Sequence, residues 1–466
     1  MVEKVIRQSA MSLCISRFTF GLLIVWNFLG VALPCKAQDP QSFSIIIDAE
    51  TEETLRLFLD PMLEIAGIPP YKVRLVIVNT PVVNASAAAG GIIAVNTGLL
   101  LKVKNLGELL GVLAHEVGHF KGGHHTRIFQ VAQKSTSTMI MGMLMGGIAM
   151  AAGQADAGMA LVMGGQHIAM QTYLAHRRSE ESAADQAGVE ILDRLQISTK
   201  GMASFFETLT FQTIRVISQV EAYGLTHPLN AERIRFVQNH LSSSRFKDSE
   251  PPSLWVEKWE RVQKKLQAFL TPPNHPKPQI RVASDIAKLY GQAVTYYRQF
   301  KLDDAIGISR MLIEKEPDNP FFNEFLAQIL FETKKVEEAL PYYRKAVSLR
   351  SESNILATQA AHAFIEAGKP ETIEFAIGLL RKVVQKDSDM VMAWHFLGVA
   401  YGKKGDIGRA SVCLAEKSIR IGDYKMAQAQ AEKALRLLQS RTQEHLKAQD
   451  IIQALQDKKH EKETSR

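Results

Sequence analysis

Leu109, Val112 and Leu113 recur at i, i+3 and i+4, the spacing of one helix face. Asn105 and Glu108 stand just ahead of them in the N-x-x-E pattern of a capping box. Together they predict a helix from about Leu106 to Phe120, anchored to a core. Upstream, residues 48–66 read as a helix that Asp48 could cap, with Leu55, Leu57, Leu59, Leu63 and Ile65 supplying its apolar content. The runs Lys72 to Val78 (KVRLVIV) and Ile92 to Val95 read as strands, the second preceded by Gly90-Gly91. Helical patterning returns from roughly Gln166 to Leu195 and from Leu254 to Leu270. Four prolines between Thr271 and Pro278 mark a boundary.

Beyond that boundary the pattern repeats. Ala305, Ala339, Ala376 and Ala410 are separated by 34, 37 and 34 residues. Trp394, Leu397, Gly398 and Tyr401 match the opening of a tetratricopeptide repeat, whose period is about 34 residues. Ala293, Tyr296 and Pro317 fit a first repeat. The three surplus residues fall around Gly368 to Thr372, read as a longer turn. Such repeats stack into a curved superhelix with a concave face for a protein or peptide.

Composition changes this picture little. The chain has 466 residues, 46% hydrophobic and 22% charged, as in ordinary globular proteins. The net charge of +7 includes Lys4, Arg7, Arg17 and Lys36 in a terminal stretch that reads as a secretory signal. Its apolar part runs from Phe18 to Leu33, and Cys35-Lys36-Ala37 suits cleavage after Ala37, with an uncleaved anchor as the alternative. The remaining basic excess is mild and evenly spread, which excludes nucleic acid as an expected partner. Cys413 is the one cysteine outside the signal, so no intramolecular disulfide is expected. Residues 139–152 hold five methionines, three glycines and no charge. The run is too short to span a bilayer. It reads as a buried helix, as an adaptable lid, or as a patch for peripheral membrane or client contact.

The chemistry concentrates at His115-Glu116-Val117-Gly118-His119, an H-E-x-x-H sequence inside the predicted helix. Residues four apart share a helix face, so both imidazoles can address one metal ion while Glu116 reaches a water beside it. A hydrolytic zinc site needs a third protein ligand from another element. Glu181, in Glu181-Ser182-Ala183-Ala184-Asp185, is the best candidate. Ala184 would allow close helix approach, and Asp185, one turn on, could fix the tautomer of a ligand histidine. Glu180 is adjacent but points about 100° away on a helix.

The chain resembles the gluzincin peptidases of the HtpX and CAAX-prenyl-protease group, and more narrowly their secreted bacterial branch with C-terminal tetratricopeptide repeats. The resemblance rests on Val83-Asn84-Ala85, Gly90 to Leu100, Val112 to His119, Glu181 to Asp185, and Thr226-His227-Pro228 with Arg233, in that order. It implies a mainly α fold: a zincin-like α+β metallopeptidase domain with a small sheet, followed by a tetratricopeptide-repeat α-solenoid. It implies one Zn2+ per chain on His115, His119 and Glu181, with Glu116 as base. Arg233 is expected to stabilise the developing oxyanion. His227 either hydrogen-bonds that oxygen or fills the open metal position and holds the enzyme shut. His124 and Asp185 are expected behind the ligands. The strand Ile92, Ile93, Ala94, Val95, Asn96 is expected to be the sheet edge that pairs with substrate. The segments are then 1–37 signal, 38–250 peptidase, 251–280 connecting helix and linker, 281–440 repeats, and 441–466 a charged helical tail. The expected activity is periplasmic zinc endopeptidase action on misfolded or stalled envelope proteins. Unfolded or misassembled proteins are the expected substrates, and the outer-membrane assembly machinery the partner through the repeats. The alternative is an assembly chaperone whose proteolysis is suppressed.

Overall fold

The computed structural model describes residues 44–88, 90–124, 141, 143–145, 155–213, 226–272 and 280–464. The N-terminal stretch read as a signal and most of the Met/Gly run lie outside the described residues. The four described members of that run, Met141, Met143, Leu144 and Met145, are exposed and so are not core. The chain divides into two compact units between Phe300 and Lys301.

The first unit opens with β1 (Ser44–Ile46) and α1 (Ala49–Ile65), followed by β2 (Arg74–Asn79), β3 (Ala85–Ala88) and β4 (Ile92–Asn96). Asp48 caps α1 by accepting from the Thr51 amide at 2.8 Å. The sheet order is β1-β2-β4-β3. β2 and β4 are parallel, and β1 and β3 pair antiparallel on the outside. This corrects the expectation that Ile92 to Asn96 is the edge. β4 is interior, with Ile93 and Val95 fully buried, and the small-residue strand β3 is the edge beside it. An apolar run marks burial, and burial here comes from having a neighbour on both sides. The sequence Ala-Ser-Ala-Ala carries no strand propensity that would have located β3.

Next come α2 (Thr97–Lys102), α3 (Leu106–Gly122), α4 (Ala155–Arg194), α5 (Lys200–Thr213), α6 (Ala231–Ser243), α7 (Ser253–Leu270) and α8 (Asp285–Arg298). The capping of α3 follows the sequence signal. Asn105 Oδ1 accepts from the Glu108 amide at 3.0 Å, while Glu108 accepts from the Lys104 amide at 2.8 Å and from Ser204 Oγ at 2.6 Å. The helix stops at Gly123, which adopts a left-handed φ of 65°. Leu109, Leu110 and Leu113 are fully buried against Leu55, Phe58 and Leu59 of α1 in one continuous core. Helices α3 and α4 cross very closely at Gly118, where a Cβ would meet the Ala184 carbonyl oxygen at 2.5 Å.

Helix α7 is more than a connection. Trp259, Val262 and Leu266 belong to the same core as α1 and α3. Gln263 donates to the Leu100 and Val103 carbonyls at 3.1 and 2.9 Å. Its Lys265 reaches Asp48 at 2.5 Å, and Glu260 accepts the Ala283 and Ser284 amides ahead of α8.

The second unit is a row of paired antiparallel helices: α9 (Leu302–Lys315), α10 (Pro320–Glu332), α11 (Val336–Leu349), α12 (Asn354–Ala367), α13 (Pro370–Lys386), α14 (Val391–Lys403), α15 (Ile407–Arg420), α16 (Tyr424–Leu437) and α17 (Gln443–Thr464). Ala305, Ala339, Ala376 and Ala410 are buried, as the repeat pattern requires. The surplus residues do not lengthen a turn. They add to the start of α13, which has 17 residues where α11 and α15 have 14. Pro370 at its first position suits a helix start. The segment 441–466 is also more than a tail. Ala448 and Ile451 of α17 are buried with Val412, Ala415, Ala431 and Ala434 of α15 and α16, closing the end of the row. No helix among the described residues is long and apolar enough to cross a membrane.

Candidate metal centre

The close crossing at Gly118 brings the H-E-x-x-H face of α3 against Glu181 on α4, and the turn before α6 adds His227. His115 Nε2 and His119 Nε2 lie 3.0 Å apart. Glu181 approaches each of them at 3.3 Å, through Oε2 and Oε1 respectively. His227 Nδ1 is 3.3 Å from His115 Nε2 and 3.3 Å from Glu181 Oε1. All four residues are buried. Such a set of imidazole and carboxylate atoms fits one cation. Metal–ligand bonds of about 2.0–2.1 Å in a tetrahedron place ligand atoms roughly 3.3 Å apart. The donor set of nitrogen and oxygen suits zinc among other transition metals.

Each ligand histidine is held from behind. Asp185 Oδ1 lies 2.8 Å from His115 Nδ1, and His124 Nδ1 lies 2.9 Å from His119 Nδ1. Those contacts leave both Nε2 atoms facing the centre. Burial alone would lower the pKa of His115, but Asp185 and Glu181 outweigh it and push it up to about 9. Burial lowers His119 to about 4, helped by the neighbouring His115 and His227. Burial opposes ionisation of Glu181, yet hydrogen bonds from His115, His119 and His227 hold its carboxyl well below the usual range. A carboxylate held ionised in this way is ready to face a cation.

Glu116 sits beside this cage. Its Oε2 accepts from the Ala87 amide of β3 at 3.0 Å. Its Oε1 is buried without a hydrogen bond, 3.5 Å from His227 Nε2. Burial raises its pKa, the direction a general base working near neutrality needs.

Arg233 is placed differently from expectation. Its Nε and Nη2 bind Asp185 bidentately at 2.6 and 2.9 Å. Its Nη1 lies 2.9 Å from Glu181 Oε2 and donates to the Pro228 carbonyl at 2.9 Å. All three nitrogens are spent on the protein, so Arg233 holds Asp185 and Glu181 rather than facing an oxyanion. Glu180 stands outside the cage, near His176 and Arg177 at 3.4 and 3.8 Å. Sequence reasoning missed Ala87, whose contribution is a backbone amide and leaves no side-chain signal.

A helix bearing two histidines and a carboxylate base, faced by a glutamate from a second helix beside a small sheet, defines a zincin-like metallopeptidase. More particularly, residues 49–241 match the model of peptidase family M48. Residues 323–353 match a tetratricopeptide repeat. Over 336 residues the chain is 25% identical to the β-barrel assembly-enhancing protease of Yersinia pestis, covering 71% of this chain and 68% of that one. The protein of the same name from Escherichia coli K12 is 25% identical over 335 residues, covering 70% and 66%. The metalloprotease LoiP of E. coli K12 is 28% identical over 166 residues, covering 35% of this chain and 61% of that one. The chain thus spans about two thirds of the length of the first two relatives.

Proposed function

We propose that this protein is a zinc-dependent endopeptidase of the periplasm that cuts misfolded or stalled envelope proteins, its repeats binding clients or assembly partners. The observation that carries the reading is the convergence of His115, His119 and Glu181 at 3.0–3.3 Å beside the buried carboxylate of Glu116. These three residues would hold one Zn2+, which supplies Lewis-acid polarisation of the scissile carbonyl and a more acidic water. Glu116 takes the proton of the attacking water at Oε1 and passes it to the leaving nitrogen. Asp185 and His124 keep the two imidazoles in register, and Arg233 fixes Glu181. The edge strand β3 receives an extended substrate by strand addition, which favours backbone recognition over side-chain selection. The name of the Yersinia and Escherichia relatives supports a role in β-barrel assembly, and the N-terminal stretch that reads as a secretory signal supports the periplasmic compartment.

A second reading has its own observation. His227 Nδ1 stands where a fourth ligand would, so the resting site is shut and the protein acts as a chaperone or scaffold until His227 withdraws. Zinc content and casein cleavage, measured for the parent, Glu116→Gln and Glu181→Ala, test both. The peptidase reading expects one zinc per chain, cleavage lost in both variants, and zinc lost or weakened in Glu181→Ala. Zinc retained with no parental cleavage selects the shut form. Absence of zinc from every form overturns the metal assignment.

A further inference from the structure

The turn Thr226-His227-Pro228 is held by two arginines at successive carbonyls. On one side, Arg233 Nη1 donates to the Pro228 carbonyl at 2.9 Å and lies 3.5 Å from that of His227. On the other, Arg177 of α4 donates through Nη2 to the Thr226 carbonyl. The Thr226 hydroxyl also meets Asn84 Oδ1 at 3.4 Å, just ahead of β3. Both guanidiniums belong to the charge system of the third ligand. Arg233 lies 2.9 Å from Glu181 Oε2, and Arg177 lies 3.9 Å from Oε1, one helical turn before it.

The two anchors are not equivalent. Arg233 is 1% exposed at its side chain and bound bidentately to Asp185, so moving it would strand a buried charge pair. Arg177 is 17% exposed, and its other partners, Glu180 and Glu181, stand at 3.8 and 3.9 Å. Its bond to the Thr226 carbonyl is therefore the contact that can exchange with water while the Pro228 end stays pinned. A turn fixed at one end and releasable at the other is a hinge with a catch.

We propose that Arg177 is a positioning residue that latches the Thr226-His227-Pro228 turn and so keeps the His227 imidazole in the ligand cage. Loss of the Arg177 bond removes the charged anchor at the Thr226 end, where the Asn84 contact is longer at 3.4 Å, and the turn pivots on Arg233 and withdraws Nδ1 from the metal position. The proposal rests on the shut-site reading above, and two measurements separate the two claims. The first is the visible absorption of the Co2+-substituted protein, which reports whether the fourth ligand is imidazole or water. The second is binding of a small peptide hydroxamate to the zinc form.

In the parent background Arg177→Gln shifts the cobalt spectrum toward that of His227→Ala. It tightens hydroxamate binding by at least about tenfold, the scale of one charge-assisted hydrogen bond. Arg177→Lys, which can still donate one bond to the carbonyl, restores the parental spectrum in part. In the His227→Ala background Arg177→Gln adds nothing. A parent that responds to His227→Ala but not to Arg177→Gln overturns the latch alone. So does an Arg177→Gln effect of equal size with and without His227, since that would place Arg177 on Glu181 instead. A His227→Ala chain with the parental cobalt spectrum and hydroxamate affinity overturns the shut-site reading itself.

Discussion

His115, His119 and Glu181 were legible in the sequence because their chemistry is local. Two histidines one turn apart and a glutamate on a patterned helix leave few other arrangements. Arg233 was legible as a residue of the site, but not in its role. A sequence shows that a guanidinium is present; only contacts 48 residues apart show that its donors go to Asp185. The role as built has a measurable consequence. Arg233→Gln leaves two buried carboxylates without their cation, so Glu181 loses its fixed geometry. Metal affinity should fall roughly 10–100-fold, the usual effect of removing a partner behind a ligand. Competition with a chromophoric chelator reads this directly. Retention of parental affinity would show that the surrounding histidines hold Asp185 and Glu181 without Arg233.

At the scale of elements, helix starts were the best-read features. Asn105 and Asp48 stand at the caps their side chains suggested. The sheet edge was misplaced because apolar strands advertise themselves and Ala-Ser-Ala-Ala does not. The surplus turn of α13 was misplaced because a repeat alignment locates an insertion only between its fixed points, and Ala339 and Ala376 bracket both the turn and the helix start. The crossing of α3 and α4 is the element contact on which the site most depends. Gly118→Ala would drive a methyl group into the Ala184 carbonyl at 2.5 Å, backbone that cannot yield as a side chain can. The expected cost is about 1–3 kcal/mol in urea unfolding, in the range of core overpacking, with metal binding weakened in parallel. Unchanged stability would mean that α4 shifts freely along α3.

For the whole molecule, the boundary that function would draw differs from the one packing draws. The sequence suggested a peptidase ending near residue 250 and a helix beyond it that merely connects. The core disagrees, because Trp259, Val262 and Leu266 of α7 lie fully or nearly fully buried among residues of α1 and α3. A chain ended at Glu250 should therefore remain insoluble or lack a cooperative transition, while one ended at Phe300 should fold. Circular dichroism melts of the two truncations decide this, and a folded shorter form would refute the shared core.

The edge strand β3 carries only alanine and serine. If clients join the sheet there, nothing at that edge can inspect which residues they bring. A segment qualifies by having its own main-chain groups unengaged, whatever its side chains. A client whose strands are all paired offers this edge nothing, whereas a delayed one leaves a strand waiting. Sorting at such an edge is a matter of elapsed time: the slower a client finds its intended neighbour, the more often this one answers instead.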